Sequence, residues 1–217
     1  VFNCRTATLE ATPLTQLSTA QRRIYKAAVR LFAEKGATQL NVSDLAQEAG
    51  VARGTIYNNV ENMDQLFQQV ASQLSKEMHE RVYQSFAAVE DPAERLSIGI
   101  RLFIRRTHEE PHWGAFLNRF ALSDASLREM FYSQATTDVL TGLGNGRYRF
   151  PQSHLASVIS LIACSTLGAM LLVLEGVKTW RDAGSEAAEL VLRALGVPED
   201  EAQQLANIEL PLLPALD

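Results

Sequence analysis

Within six residues the chain sets out Arg53, Gly54, Thr55, Tyr57 and Asn58. A guanidinium offers paired donors that match a guanine edge or two phosphate oxygens, and a carboxamide offers the donor and acceptor that match adenine. Thr55 and Tyr57 add hydroxyls, and Gly54 lets the backbone approach whatever the others touch. Arg22, Arg23 and Asn41 lie upstream, at positions that read as helix starts, where backbone amides face outward and favour phosphate. Together these residues supply the chemistry of duplex DNA recognition, provided that one short helix carries them outward. The plainer alternative is a solvated surface, with Tyr57 filling a core.

Other chemistry is weaker. His108 and His112 stand four apart with Glu109 and Glu110 between them, the spacing of a helical metal pair, but Pro111 interrupts the helix that would be needed. No glycine-rich phosphate loop or nucleophile motif is present, so neither an enzyme nor a metal or other cofactor is expected. Phe103, Trp113, Phe116, Phe120 and Phe131, with Met170 and Leu174, are bulky enough to line a cavity or simply to fill a core; His112, Asn118, Arg119 and Cys164 are the nearby polar groups that could meet a ligand.

The elements that must position these residues read as helices throughout. Apolar residues recur three and four apart and alternating β-branched runs are scarce, so the fold class is all-α. Residues 1–17 are Thr-rich without an apolar period and are expected to form a mobile arm. Ile24, Ala28, Leu31 and Phe32 mark a first helix from Ser18 or Thr19, stopped at Gly36; Asn41 caps a second, with Asp44 in its first turn, and Gly50 ends it. A third runs over Arg53–Asn59, with Ala46, Ala49, Val51 and Ile56 as the small and apolar positions where helices cross. A fourth starts after Asn62 and heads towards Val89. Asp91-Pro92-Ala93-Glu94 opens a fifth that reaches about Thr107. Pro111 restarts the chain, another helix covers about Asp124 to Thr141, and Gly142, Gly144 and Gly146 are expected to make a flexible link. Gln152 to Gly176 and Trp180 to Leu195 are the last long helices, followed by a short acidic one from Pro198 to Ala206.

The chain has 217 residues, 47% of them hydrophobic, and a formal charge of -5. That balance excludes a general nucleic-acid coat and confines DNA contact to a local patch. The charge is uneven: residues 1–64 carry net +1 and residues 65–217 net -6. Two cysteines, Cys4 and Cys164, suggest neither a staple nor a metal site, and no basic stretch leading into an apolar run opens the chain; a reducing cytoplasm is the expected location. Leu155 to Leu174 is uncharged and long enough for a bilayer. Its serines, and basic residues at both ends, favour instead a helix packed in its own domain on one side and on a partner subunit on the other, so no membrane is expected.

Gly36 to Leu66, reading GATQLNVSDLAQEAGVARGTIYNNVENMDQL, resembles the DNA-binding signature of the tetracycline-repressor (TetR) family. The resemblance implies an N-terminal helix-turn-helix over 18–64, a larger helical ligand-binding and dimerisation domain over 65–217, DNA contacts by Arg53, Gly54, Thr55, Tyr57, Asn58 and Asn41, and a pocket for a largely apolar effector in the C-terminal part. It also implies a homodimer through the last two long helices, and a repressor released from a palindromic operator by a small molecule. Two positions depart from the family pattern. Val60 stands where an aromatic residue is common, and Met63 where a phosphate-binding lysine is common. The loss of that charge motivates an alternative, a small-molecule-binding or scaffold protein of the same fold with weakened DNA binding.

Overall fold

The computed structural model describes residues 18–85 and 89–214; the expected arm at 1–17 lies outside them. Among the described residues ten α-helices form and no strand. Helix α1 (Thr19–Lys35) opens with a capping box, in which Ser18 Oγ accepts from the Gln21 amide while the Gln21 side chain accepts from the Ser18 amide. Gly36 ends it at φ 65°, a left-handed conformation that glycine adopts without a Cβ clash. Helix α2 (Val42–Ala49) is capped by Asn41, whose side-chain oxygen accepts from the Ser43 amide. Gly50 closes it at φ 61°, and α3 (Arg53–Asn59) follows. Ile24, Phe32, Leu45 and Ile56 are completely buried where these three helices meet.

The fourth element begins differently from the sequence expectation. Asn62 does cap, accepting from the Asp64 amide, but it caps a single 3-10 turn, Met63–Gln65, which then leads into α4 (Leu66–Ser85). Helix α4 packs on α1 at one end and on α7 (Ala125–Gly144) along its length. Helix α5 (Pro92–Glu109), capped by Asp91 with Pro92 in its first turn, is the central post. Around it stand α6 (Pro111–Phe120), α7, α8 (Leu155–Leu174) and α9 (Trp180–Ala194), with α10 (Glu199–Asn207) closing over α9 and α5.

The flexible link expected over 142–146 does not form as such. Helix α7 continues through Gly144, and Gly142 is buried inside it because the Tyr148 ring occupies the place of its side chain: a Cβ there would stand 2.2 Å from the ring. Tyr148 then donates its hydroxyl to the Pro92 carbonyl at 3.0 Å, which ties this turn to the start of α5. The glycine serves close packing here, a need that the local sequence does not display.

Helix α8 is the one helix among the described residues long and apolar enough to cross a membrane by length and composition. Ile159, Ile162, Ala163, Thr166, Leu167, Ala169 and Met170 are buried against its neighbours, while Leu161 and Leu171 on the other side are 43% and 44% exposed. It is thus packed inside the bundle on one face and uncovered on the other.

Candidate nucleic-acid interface and ligand cavity

Helix α3 is anchored by one residue and displays the rest. Ile56 is fully buried, Thr55 half-buried, and Arg53, Gly54, Tyr57 and Asn58 are exposed, Tyr57 to 65%. The reading in which Tyr57 fills the core is therefore excluded. Asn59, next in sequence, turns back and donates from Nδ2 to the Thr55 carbonyl at 2.7 Å, which closes the helix and leaves Asn58 as the outward amide. Asn41 is exposed at the head of α2; with its oxygen committed to the Ser43 amide, its NH2 group remains as a donor.

The cations of this region sort into two sets. Arg30 pairs with Glu34 and Glu48, and Lys35 pairs with Asp44, so those charges are spent within the head. Arg22, Lys26 and Arg53 make no ion pair among the described residues and are exposed. Sequence reasoning passes over Lys26; its signal is the i,i+4 spacing from Arg22, which puts the two on one side of α1. Arg23 is placed otherwise than a free phosphate ligand would be, since its Nη2 donates to the Gly50 carbonyl at 2.9 Å and so braces the turn between α2 and α3. Val60 is buried and fills the core at the end of α3, while Met63 is half-buried against the same core between exposed Glu61 and Asp64.

The larger helical part holds a narrow cavity between α4, α5, α7 and α8, with a free volume of about 50 Å³. Met78, Val82, Leu96, Ile100, Phe103, Met130, Phe131 and Ile162 give it apolar walls, and Arg95, Gln134 and Asp138 a polar end. Asp138 Oδ1 accepts from Arg95 Nε at 2.9 Å and from Gln134 Nε2 at 3.1 Å. Burial pushes the Asp138 carboxyl above its ordinary range, with Gln134 and Arg95 opposing.

Of the residues that sequence placed near a ligand, Phe103 and Phe131 line this cavity, their rings 4.7 Å apart. The others lie elsewhere. Phe116 and Phe120 join Phe32 and Phe67 in an aromatic cluster that holds α6 to α1 and α4. Trp113 is buried under the Arg106 guanidinium, 4.4 Å above its ring. Its Nε1, like Asn118 Nδ2, is buried with no hydrogen-bond partner among the described residues. Arg119 is exposed and lies against Gly36. Met170 is buried and Leu174 half-buried without reaching the cavity, and Cys164 is exposed on the uncovered face of α8. His112 is exposed at the start of α6, and Glu110 separates that helix from the one bearing His108, so the two histidines do not share a helix face.

Three helices of this order, with the third turned outward behind a glycine turn, define a helix-turn-helix protein. The sequence profile described as bacterial regulatory proteins, tetR family, matches residues 24–70, and that of the tetracyclin repressor-like C-terminal domain matches residues 91–208. The chain belongs to the TetR family of transcriptional regulators. An uncharacterized HTH-type transcriptional regulator of Mycobacterium tuberculosis is 27% identical over 97 residues, 45% of this chain and 48% of that protein. The chain thus spans about half the length of the curated relatives it matches first. Among solved structures, RolR in complex with resorcinol is 25% identical with a TM-score of 0.63, covering 90% of this chain and 96% of that one. CprB from S. coelicolor A3(2), a TetR family protein, is 18% identical with a TM-score of 0.68, covering 88% and 100%, a likeness of fold.

Proposed function

We propose that the protein is a homodimeric, cytoplasmic regulator that binds a palindromic operator through residues 18–64 and is released as a repressor when a small molecule enters the cavity of residues 65–217. The observation that carries this reading is the outward set Arg53, Gly54, Tyr57 and Asn58 around the buried anchor Ile56. In this reading Arg53 and Asn58 supply forked and paired hydrogen-bonding groups for base edges, Asn41 and Thr55 meet phosphate, and Arg22 and Lys26 add charge. Pairing through the uncovered faces of α8 and α9, where Leu161, Leu171 and Leu190 are exposed, would set two copies of α3 about 34 Å apart, one turn of duplex. That RolR was crystallised with resorcinol supports a small effector. The cavity touches α4 through Met78, His79 and Val82, so a ligand that prefers one tilt of α4 shifts the equilibrium between DNA-competent and DNA-released states.

Operator selection from a random DNA pool, followed by fluorescence anisotropy at rising salt, tests this. Affinity is expected to fall steeply with salt, and Arg53→Ala to weaken binding by roughly tenfold or more. The second reading, a small-molecule-binding or scaffold protein, draws on Met63 between Glu61 and Asp64, which leaves the start of α4 without a cation. Binding indifferent to both salt and Arg53→Ala would establish that reading instead.

A further inference from the structure

We infer that the cavity between α4, α5, α7 and α8 selects a compact, neutral molecule of about one ring that donates a hydrogen bond to Asp138. This rests on the reading of that cavity as the effector site and names the ligand class it would take. The walls are aliphatic, thioether and aromatic, which favours an apolar body. The free volume of about 50 Å³ holds little more than a water molecule or two. A ligand gains room by re-packing Met78 and Met130, unbranched side chains that adapt to irregular shapes, and this holds the guest to a small ring.

The polar end sets the chemistry. Asp138 is 4% exposed, and both donors it receives among the described residues fall on one oxygen. An ionised carboxylate has roughly four acceptor sites, so this group retains capacity for a further donor. Arg95 and His79 are the other ionisable groups on the lining. An anion would find the Arg95 charge already paired with Asp138. A cation would find the Asp138 charge already paired with Arg95. A neutral hydroxyl donor adds to the Arg95, Gln134 and Asp138 network and displaces neither partner.

Isothermal titration of the full chain without DNA, using 3-methylphenol, its methyl isostere 1,3-dimethylbenzene, the anion 3-methylbenzoate and the cation benzylammonium, tests the inference. The phenol is expected to bind at least about tenfold more tightly than each of the other three, the scale of one hydrogen bond to a charged group. Equal or tighter binding of any of the three, or no phenol binding at about 1 mM, would overturn it. Replacing the pair by apolar side chains, Arg95→Met with Asp138→Leu, is expected to reverse the preference towards 1,3-dimethylbenzene. Asp138→Asn, a milder change of similar shape, is expected to narrow it several-fold. An unchanged preference in a folded variant places the binding elsewhere and overturns the inference. Operator release, measured separately by anisotropy, keeps the two readings apart. Selective phenol binding that leaves DNA affinity unchanged removes the regulatory reading alone, whereas release by all four compounds alike removes the ligand class alone.

Discussion

The Arg23 guanidinium on α1 reaches across to the Gly50 carbonyl at the end of α2, 2.9 Å from its Nη2, so the first helix holds the turn that aims the third. Gly50 leaves the space for it: a Cβ at that position would stand 2.5 Å from the same nitrogen. Arg23 is therefore expected to act on DNA binding through orientation. Arg23→Ala is expected to cost about 1 kcal/mol of stability by denaturant titration and to weaken operator binding with the salt slope unchanged. Arg22→Ala, which removes an exposed charge proposed to meet phosphate, should instead lower that slope by about one. A drop in slope for Arg23→Ala would make it a phosphate contact.

Gly142 and Gly144 lie two residues apart on α7 and should respond in opposite ways to the same change. Gly142→Ala drives a methyl into the Tyr148 ring and is expected to destabilise by about 1–3 kcal/mol. A methyl on Gly144 would meet nothing within 4 Å, so Gly144→Ala is expected to be neutral or stabilising by about a few tenths of a kcal/mol. Thermal unfolding of the two variants under one condition checks the pair.

Acid should loosen the start of α5. Burial raises the Asp91 carboxyl, but the Arg147 hydrogen bonds and the Ala93 amide outweigh it and hold the group below its ordinary range. Because the folded value lies below the unfolded one, its contribution to stability is complete above the unfolded pKa, about 3.9, and is lost as pH falls through the folded value. Arg147→Gln removes the principal opposing group, so the variant is expected to show a shallower loss of stability below about pH 4 than the parent. Urea midpoints across that range supply the measurement, and parallel curves would refute the assignment.

Charge on the uncovered face should split the pair. Leu161 on α8 and Leu190 on α9 are 43% and 63% exposed, and a buried unpaired carboxylate is costly at a subunit contact. Leu161→Asp with Leu190→Asp is expected to yield a monomer in sedimentation at micromolar concentration while helix content by circular dichroism stays the same. A dimer surviving both changes would move the interface elsewhere.

The head of the molecule was legible because its signals are local. The bounds Arg53–Asn59 follow from a glycine turn on one side and a cap at Asn62 on the other, and Gly36, Asn41 and Gly50 each do in the structure what their residue types require. The 3-10 turn at Met63–Gln65 escaped, since a capping asparagine starts either helix type. The cavity was only partly legible. Phe103 and Phe131 reach it, whereas Phe116 and Phe120 turn towards Phe32 and Phe67, and the choice depends on how distant helices cross. Arg95, Gln134 and Asp138 drew no attention in the sequence; the i,i+4 spacing of Gln134 and Asp138 was the available hint, and Asp138 is buried where α7 packs against its neighbours, α5 with Arg95 among them.

Helix α4 is unbroken from Leu66 to Ser85. Phe67 near its beginning is locked edge-on to Phe32, and Met78 further along borders the cavity, about 17 Å away at the helical rise. A rod without a kink has no joint in which to dissipate a sideways push. In the dimer proposed above, two such rods related by a two-fold axis would move as the arms of a caliper, so equal displacements of both would change the gap between the two DNA-facing tips by their sum.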